Sequence, residues 1–186
     1  MLPRLLAGVD PDLVQVVERR FRAAGGEILL GARAKRATVK NGSAIVDVEH
    51  ESKSLQIECD KVLVAVGFRP NSQALGLADF GVATDARGHI TVDEQLRTNV
   101  VGVFAIGDVT GGPYLAHRAM KQGEVVAEVI AGRKSAADWR AMPSAIFSDT
   151  EIATVGLSEA EAKERGIAVK IGKFPFAASG RAMAVN

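Results

Sequence analysis

Chemistry in this sequence gathers around one stretch, VFAIGDVTGGPYLAHRAM, residues 103–120. An apolar run ends at Gly107-Asp108, a Gly/Pro turn follows, and helical spacing restarts at Leu115. Glycine at the end of a strand lets another group approach the backbone. Asp108 then offers an acceptor just past the carboxyl end of that strand, where open α/β sheets bind ligands. A carboxylate there suits hydrogen bonds from sugar-like hydroxyls. The helix beginning near Leu115 presents unpaired N–H groups and a partial positive charge. Such an end stabilises nearby negative charge by about 0.3–1 kcal/mol, and by more when partly buried. Spacing alone equally allows a plain turn in which Asp108 serves its own loop.

The other reactive residue types are scattered. Cys59 is the only cysteine, so no internal disulfide, CxxC pair or zinc cluster can form. Glu58 and Asp60 flank it and blunt its reactivity, which makes it structural. His50, His89 and His117 are too far apart in sequence for metal-ligand spacing. His50, between Glu49 and Glu51, reads as a solvated strand position, and His89, after Gly88, as an exposed turn residue. His117 reads as a backbone contact whose side chain has no special task. No metal site and no catalytic side chain is expected. Arg69-Pro70 reads as a strand breaker before a loop near a ligand, the alternative being that it holds that loop. EAEAKER, residues 159–165, reads as a solvated helix face. Trp139 and Phe147 suit a core or an interface equally.

Composition narrows the class. The chain has 186 residues, enough for one large domain or two small ones. Apolar residues make up 47%, which supports a sizeable core. Lys and Arg number 23 against 22 Asp and Glu, a formal +1, so no basic excess points to nucleic acid or a membrane surface. Nineteen glycines suit an α/β ligand-binding fold rich in turns. No apolar run reaches the roughly 18 residues of a membrane span. Met1-Leu2-Pro3-Arg4 carries no secretory h-region, so a soluble, cytoplasmic protein is expected.

Around the chemical stretch the elements fall into three groups. Asp10-Pro11 reads as N-cap and N1 of a helix with Leu13, Val16, Val17 and Phe21 on its inner face. Gly25-Gly26 ends it, and EILL follows as a short strand. Segments 33–39, 43–49 and 54–58 alternate as a β-meander, the first two joined by Asn41-Gly42. KVLVAVG, 61–67, reads as a buried strand. Residues 71–100 are loop-rich, with HITVD as one strand, and VGVFAIGD is a second buried strand. A helix runs from Leu115 to Ala131, with Met120, Val126, Val129 and Ile130 inward and Gly132 as its stop. After Met142-Pro143, SAIF and EIATVG read as strands. Ser158 and Glu161 form a capping box for a helix ending at Gly166, and IAVKIGKFPF reads as a further strand.

TNVVGVFAIGDVTGGPYLAHRAMKQGEVVAEVIAG resembles the flavin-binding segment of the pyridine nucleotide–disulfide oxidoreductase family. AVGFRPN followed by LGL resembles that family's exit from its NAD domain. MPSAIFSDTEIATVGLSEAEAKERGIAVKIGKFPFAASGRA resembles the start of its dimerisation domain. The likeness covers essentially all 186 residues and is clearest from Val64 to Ala182. It implies an α/β fold in three parts. Residues 1–69 are the later half of a doubly wound NAD(P)-binding domain, 70–140 a central FAD-contacting segment, and 141–186 the start of an α+β dimerisation domain.

The resemblance also implies roles and cofactors, FAD and NAD. Asp108 would accept a hydrogen bond from the ribitol of FAD. Tyr114, Leu115, Ala116 and His117 would lie along the flavin, backbone N–H groups toward its pyrimidine edge. Gly67 would let the nicotinamide cofactor approach, and Ala34 would fall beside its adenosine. In the branch of the family that oxidises dihydrolipoyl groups, electrons pass to a cysteine pair, then FAD, then NAD. The partner implied there is a lipoyl-bearing acyltransferase of a 2-oxoacid dehydrogenase complex, and the assembly a homodimer. The family's Gly-rich fingerprints and cysteine pair have no counterpart in these residues, nor has its C-terminal His-Glu dyad. Thr150 stands where the family carries proline. An internal piece of a longer enzyme is therefore expected. GPYLAHRAM argues against mercuric and glutathione reductases, which stay open as alternatives, as does an inert truncated chain.

Overall fold

The computed structural model describes residues 2–185; Met1 and Asn186, at the ends of the expected first and last segments, lie outside the described residues. The chain opens on helix α1, Pro11–Ala23. Pro11 takes the first helical position, where its missing N–H costs nothing. Asp10 does not cap this helix with its side chain. Its Oδ1 instead accepts the Glu159 N–H at 3.2 Å, tying α1 to the last third of the chain. Two more contacts follow the same route. Lys173 Nζ meets Asp12 Oδ2 at 2.7 Å, and Arg20 donates to Thr150 Oγ1 at 2.7 Å. The expected inner face of α1 is corrected: Val14 is buried, Val17 is half-buried, and Leu13, Val16 and Phe21 are exposed.

A three-stranded antiparallel meander follows: β1 (Arg33–Lys40), β2 (Ser43–His50) and β3 (Lys53–Cys59), in that order across the sheet. Lys40 faces Ser43 across Asn41-Gly42, both at positive φ. That is the geometry whose twist matches the flanking strands. The second turn, Glu51-Ser52, takes positive φ at two non-glycine residues. Cys59 lies half-buried at the end of β3, its thiol 3.7 Å from the Ala44 carbonyl.

Five expected strands do not form among the described residues. EILL is irregular. KVLVAVG, 61–67, has no strand beside it among the described residues, and Leu63 and Val66 are 91% and 93% exposed. A strand exists through its ladder. Without a neighbouring edge, its N–H and C=O groups stay with solvent and its apolar side chains find no core. HITVD and VGVFAIGD shrink to isolated bridges, Thr84 with Ile90 and Arg97 with Phe104. IAVKIGKFPF is likewise unpaired and exposed.

The core sits in the middle of the chain. Val82, Ile90 and Ala105 form one buried cluster, and Leu96, Val125 and Val129 a second. Val92 packs against both. Helix α2, Ala116–Ile130, supplies the second cluster. Gly132, at φ +77, closes its end by donating to the Val129 carbonyl at 3.0 Å. Its inward stripe is Arg118, Gln122, Val125 and Val129. Met120 and Ile130, expected inside, are exposed, and Val126 is half-buried.

Short antiparallel strands β4 (Ser144–Ile146) and β5 (Ile152–Thr154) begin the last third. Helix α3, Glu159–Glu164, carries the full capping box. Ser158 Oγ accepts the Glu161 N–H at 3.2 Å, and Glu161 accepts the Ser158 N–H at 2.8 Å. The Ser158 N–H first, and then the Ser158 hydroxyl, which donates to Glu161 Oε2 at 2.9 Å, hold the Glu161 carboxyl below its ordinary value. Helix α4, Gly180–Val185, ends the described chain.

Candidate functional site

The site is built on a 3-10 turn, Gly107–Thr110, set against the start of α2. Gly107 takes φ +74, and a Cβ there would stand 3.2 Å from the Ala119 Cβ. The glycine therefore lets this turn press against α2; its close neighbour is the helix. The buried Gly107 N–H donates to Gln122 Oε1 at 2.7 Å, and Gln122 itself is 2% exposed. Thr110 Oγ1 donates back to the Gly107 carbonyl at 2.8 Å.

Arg118 locks the rest of the loop. Its guanidinium donates to the Gly111 carbonyl at 2.7 Å, the Pro113 carbonyl at 3.2 Å and Thr110 Oγ1 at 3.3 Å. Burial pulls its pKa down, and the charge of Asp108 opposes that shift. A planar fork of donors is what three fixed acceptors need, and a lysine could not reproduce it. Arg118 and Gln122 are polar side chains turned inward because they satisfy backbone groups of this loop. An inward face read from apolar spacing alone misses both.

Asp108 and the mouth of α2 are thus held on one frame. The Asp108 side chain is exposed and takes no hydrogen bond among the described residues. Leu115 precedes the helix in extended conformation and gives no side-chain cap, and no acidic residue sits in the first turn. The N–H groups of Ala116, His117 and Arg118 have no acceptor among the described residues. The frame presents a free acceptor at one end and free donors with positive potential at the other. Hydroxyl donors on one part of a ligand and negative charge on another would match it. Two cavities of about 490 and 480 Å³ lie elsewhere, around Leu2–Leu6 with Phe21 and around Lys35 with Glu49.

The other expected positions divide. Tyr114 directly precedes Leu115, and its ring meets Phe68 edge-on at a centroid distance of 5.6 Å. Gly67, at φ +120 with open space where a Cβ would stand, is therefore one residue from a side chain that touches the site. Ala34 is exposed on β1, opposite Val48, and no hydrogen bond among the described residues links it to the Asp108 turn. His117 departs from its expected passive role, since its Nε2 donates to the Pro143 carbonyl at 2.7 Å. His89 is the clearest correction. Expected on the surface, it is 8% exposed and lies between Asp85 and Tyr114 at 2.9 Å from each. Only its spacing of four from Asp85 hinted at this, and nothing in the sequence announced Tyr114, 25 residues on.

Comparison with known proteins places the whole chain in one family. Residues 1–123 match the family described as pyridine nucleotide-disulphide oxidoreductase, and residues 142–186 its dimerisation domain. Dihydrolipoyl dehydrogenase of Geobacillus stearothermophilus is 44% identical over 182 residues, 98% of this chain and 39% of that protein. Dihydrolipoyl dehydrogenase 3 of Haloarcula marismortui is 41% identical, over 100% of this chain and 40% of that protein. Among solved structures, the HOCl-induced flavoprotein disulfide reductase RclA from Escherichia coli superposes with a TM-score of 0.89 at 28% identity, over 100% of this chain and 42% of that one. LpdA from Mycobacterium tuberculosis superposes at 0.85 and 28% identity, over 95% of this chain and 38% of that one. The chain spans about 40% of the length of the curated relatives it matches. The likeness over its whole length bears out the α/β fold class. Among the described residues no helix is long and apolar enough to cross a membrane, and no group of metal-ligating side chains forms. The chain belongs to the pyridine nucleotide-disulphide oxidoreductase family.

Proposed function

We propose that this chain is the FAD- and NAD-contacting part of a dihydrolipoyl dehydrogenase, an enzyme that oxidises dihydrolipoyl thiols and reduces NAD. One observation carries the reading. Asp108 and the unpaired first turn of α2 share a frame clamped by Arg118 and Gln122, with no competing partner among the described residues.

On this reading Asp108 accepts a hydrogen bond from the ribitol chain of FAD. The backbone donors around Tyr114, Leu115, Ala116 and His117 face the pyrimidine edge of the isoalloxazine. Bound FAD supplies a two-electron carrier between a dithiol and NAD. The residues of this chain orient it and stabilise negative charge at its edge; none of them exchanges electrons or bonds with substrate. Gly67 leaves room for the nicotinamide cofactor, and Ala34 is assigned to the adenosine end. Residues 1–69, 70–140 and 141–186 are assigned to the NAD, central and interface regions. The bare run 61–67 is assigned to a parallel sheet whose other strands belong to the part of the enzyme this chain does not span. The apolar, exposed segment 167–176 supports a homodimer through the interface region. The dehydrogenase relatives support a lipoyl-bearing acyltransferase of a 2-oxoacid dehydrogenase complex as electron source. A reducing, cytoplasmic setting suits the free thiol of Cys59.

The test is Asp108→Ala in the full-length enzyme. A hydrogen bond to a charged group is worth about 1.5–3 kcal/mol, so FAD should bind about 10- to 100-fold more weakly. Equilibrium dialysis with flavin fluorescence measures this. Unchanged affinity overturns the assignment.

A further inference from the structure

Asp85, His89 and Tyr114 form a continuous hydrogen-bonded chain ending at the proposed flavin surface. Asp85 Oδ1 accepts the backbone N–H of Arg87 at 2.8 Å and of His89 at 2.9 Å. Its Oδ2 lies 2.9 Å from His89 Nδ1. His89 Nε2 lies 2.9 Å from the Tyr114 hydroxyl oxygen. Gly111 lies beside the ring, where a Cβ would stand at ordinary contact distance, 3.9 Å from His89 Cγ. The buried Ser72 hydroxyl donates to the Gly88 carbonyl at 2.6 Å and holds the turn that carries the imidazole.

The direction of each bond follows from the acceptors. The His89 hydrogen bond, followed by the backbone donors, lowers the Asp85 carboxyl from 3.8 to about 2. Asp85 is therefore an acceptor only, and Nδ1 carries a proton. In a neutral imidazole Nε2 must then accept, and the Tyr114 O–H is the donor. The single phenolic proton points inward, and the phenol oxygen shows only lone pairs outward. A second proton on His89 reverses the last bond. Nε2–H then donates to the phenol oxygen, and the Tyr114 O–H is free to donate outward.

Charged groups lie on the elements that meet the ring, among them Arg87 on its own turn. Asp85 lies on the same turn. Arg118 reaches the Gly111 and Pro113 carbonyls from α2, and Asp108 lies near Arg118. Phe68, at the Tyr114 ring, and Pro70 and Ser72, near Gly88, bring no charge.

We propose that His89, held by Asp85, is a positioning residue: its protonation sets whether Tyr114 presents a lone pair or a proton to the flavin. This rests on the reading that Tyr114 lies along that cofactor. It adds a proton-linked control that neither Asp108 nor the helix mouth supplies.

The experiment uses the full-length holoenzyme. The visible absorbance of its oxidised flavin is followed from about pH 5 to 8, the range in which histidines change charge. A one-proton step is expected in the native enzyme. It should vanish in Tyr114→Phe, which keeps the ring, and in His89→Phe. His89→Gln, polar but not titrating, must also lack the step, and it covers a His89→Phe variant that folds poorly. A step that survives in flavin-bearing molecules of any of these variants overturns the proposal, as does a native enzyme without one. A purely structural role would lower flavin retention and leave the step in place. A full-length protein with no flavin absorbance overturns the functional reading and this proposal together; coloured enzyme without a step overturns this proposal alone.

Discussion

His117 Nε2 lies 2.7 Å from the Pro143 carbonyl oxygen. A carbonyl only accepts, so the imidazole carries its proton on Nε2. One side chain thus joins the first turn of α2 to the segment that leads into β4. Residues on either side of this bond have different proposed tasks, cofactor contact and subunit contact. The bond gives the two regions a common anchor point.

His117→Ala should loosen that anchor at small energetic cost. The bond is exposed, so the lower end of the usual range applies, about 0.5 kcal/mol. Urea unfolding of the full-length protein measures it. His117→Gln, which keeps an N–H donor, should recover part of the loss. A midpoint unchanged in both variants would show that the contact carries no stability.

Gly107→Ala should be more damaging. Positive φ costs a non-glycine residue about 1–2 kcal/mol. The added methyl would also stand 3.2 Å from the Ala119 Cβ. The two contributions are separable. Ala119→Gly removes the crowding and leaves the backbone strain, so the double variant should be rescued only in part. Full rescue, read from thermal unfolding, would assign the whole penalty to crowding.

Acid should weaken the His89 turn through Asp85. Its carboxyl is lowered from 3.8 to about 2 by the His89 side chain first and the backbone donors second. A lowered native pKa means stability that is present above the unfolded value and lost as pH falls through the native one. Asp85 therefore contributes fully above about pH 4 and loses its contribution between about pH 4 and 2. Asp85→Asn cannot ionise, so its stability should fall less steeply over that interval. Urea midpoints at half-unit steps of pH test this, and parallel curves for the two proteins would contradict it.

Local rules made several elements legible in the amino-acid order. Asn41-Gly42 fits both central positions of its turn because each tolerates positive φ, and the meander follows at the expected register. Ser158 and Glu161 cap α3 because both partners lie within one turn. Pro11 opens α1, and Gly132 closes α2 within one residue of the expected end. The Glu51-Ser52 turn has no such signature, because its left-handed residues are held by the pairing of β2 with β3. Pairing also decided the failures. Residues 61–67 have strong strand propensity, yet no neighbouring edge among the described residues forms their ladder.

What the order of residues determined alone was the position of the Asp108 turn and of the helix after it, since each is marked by residue types a few positions apart. Tertiary structure decided which side chains turn inward to serve them. Arg118 and Gln122 are buried because the loop at 107–113 leaves backbone groups that need partners. His89 is buried because folding brings Asp85 and Tyr114 to its two nitrogens. A polar side chain is drawn inward by the groups it must satisfy, and those become its neighbours only when the chain has folded.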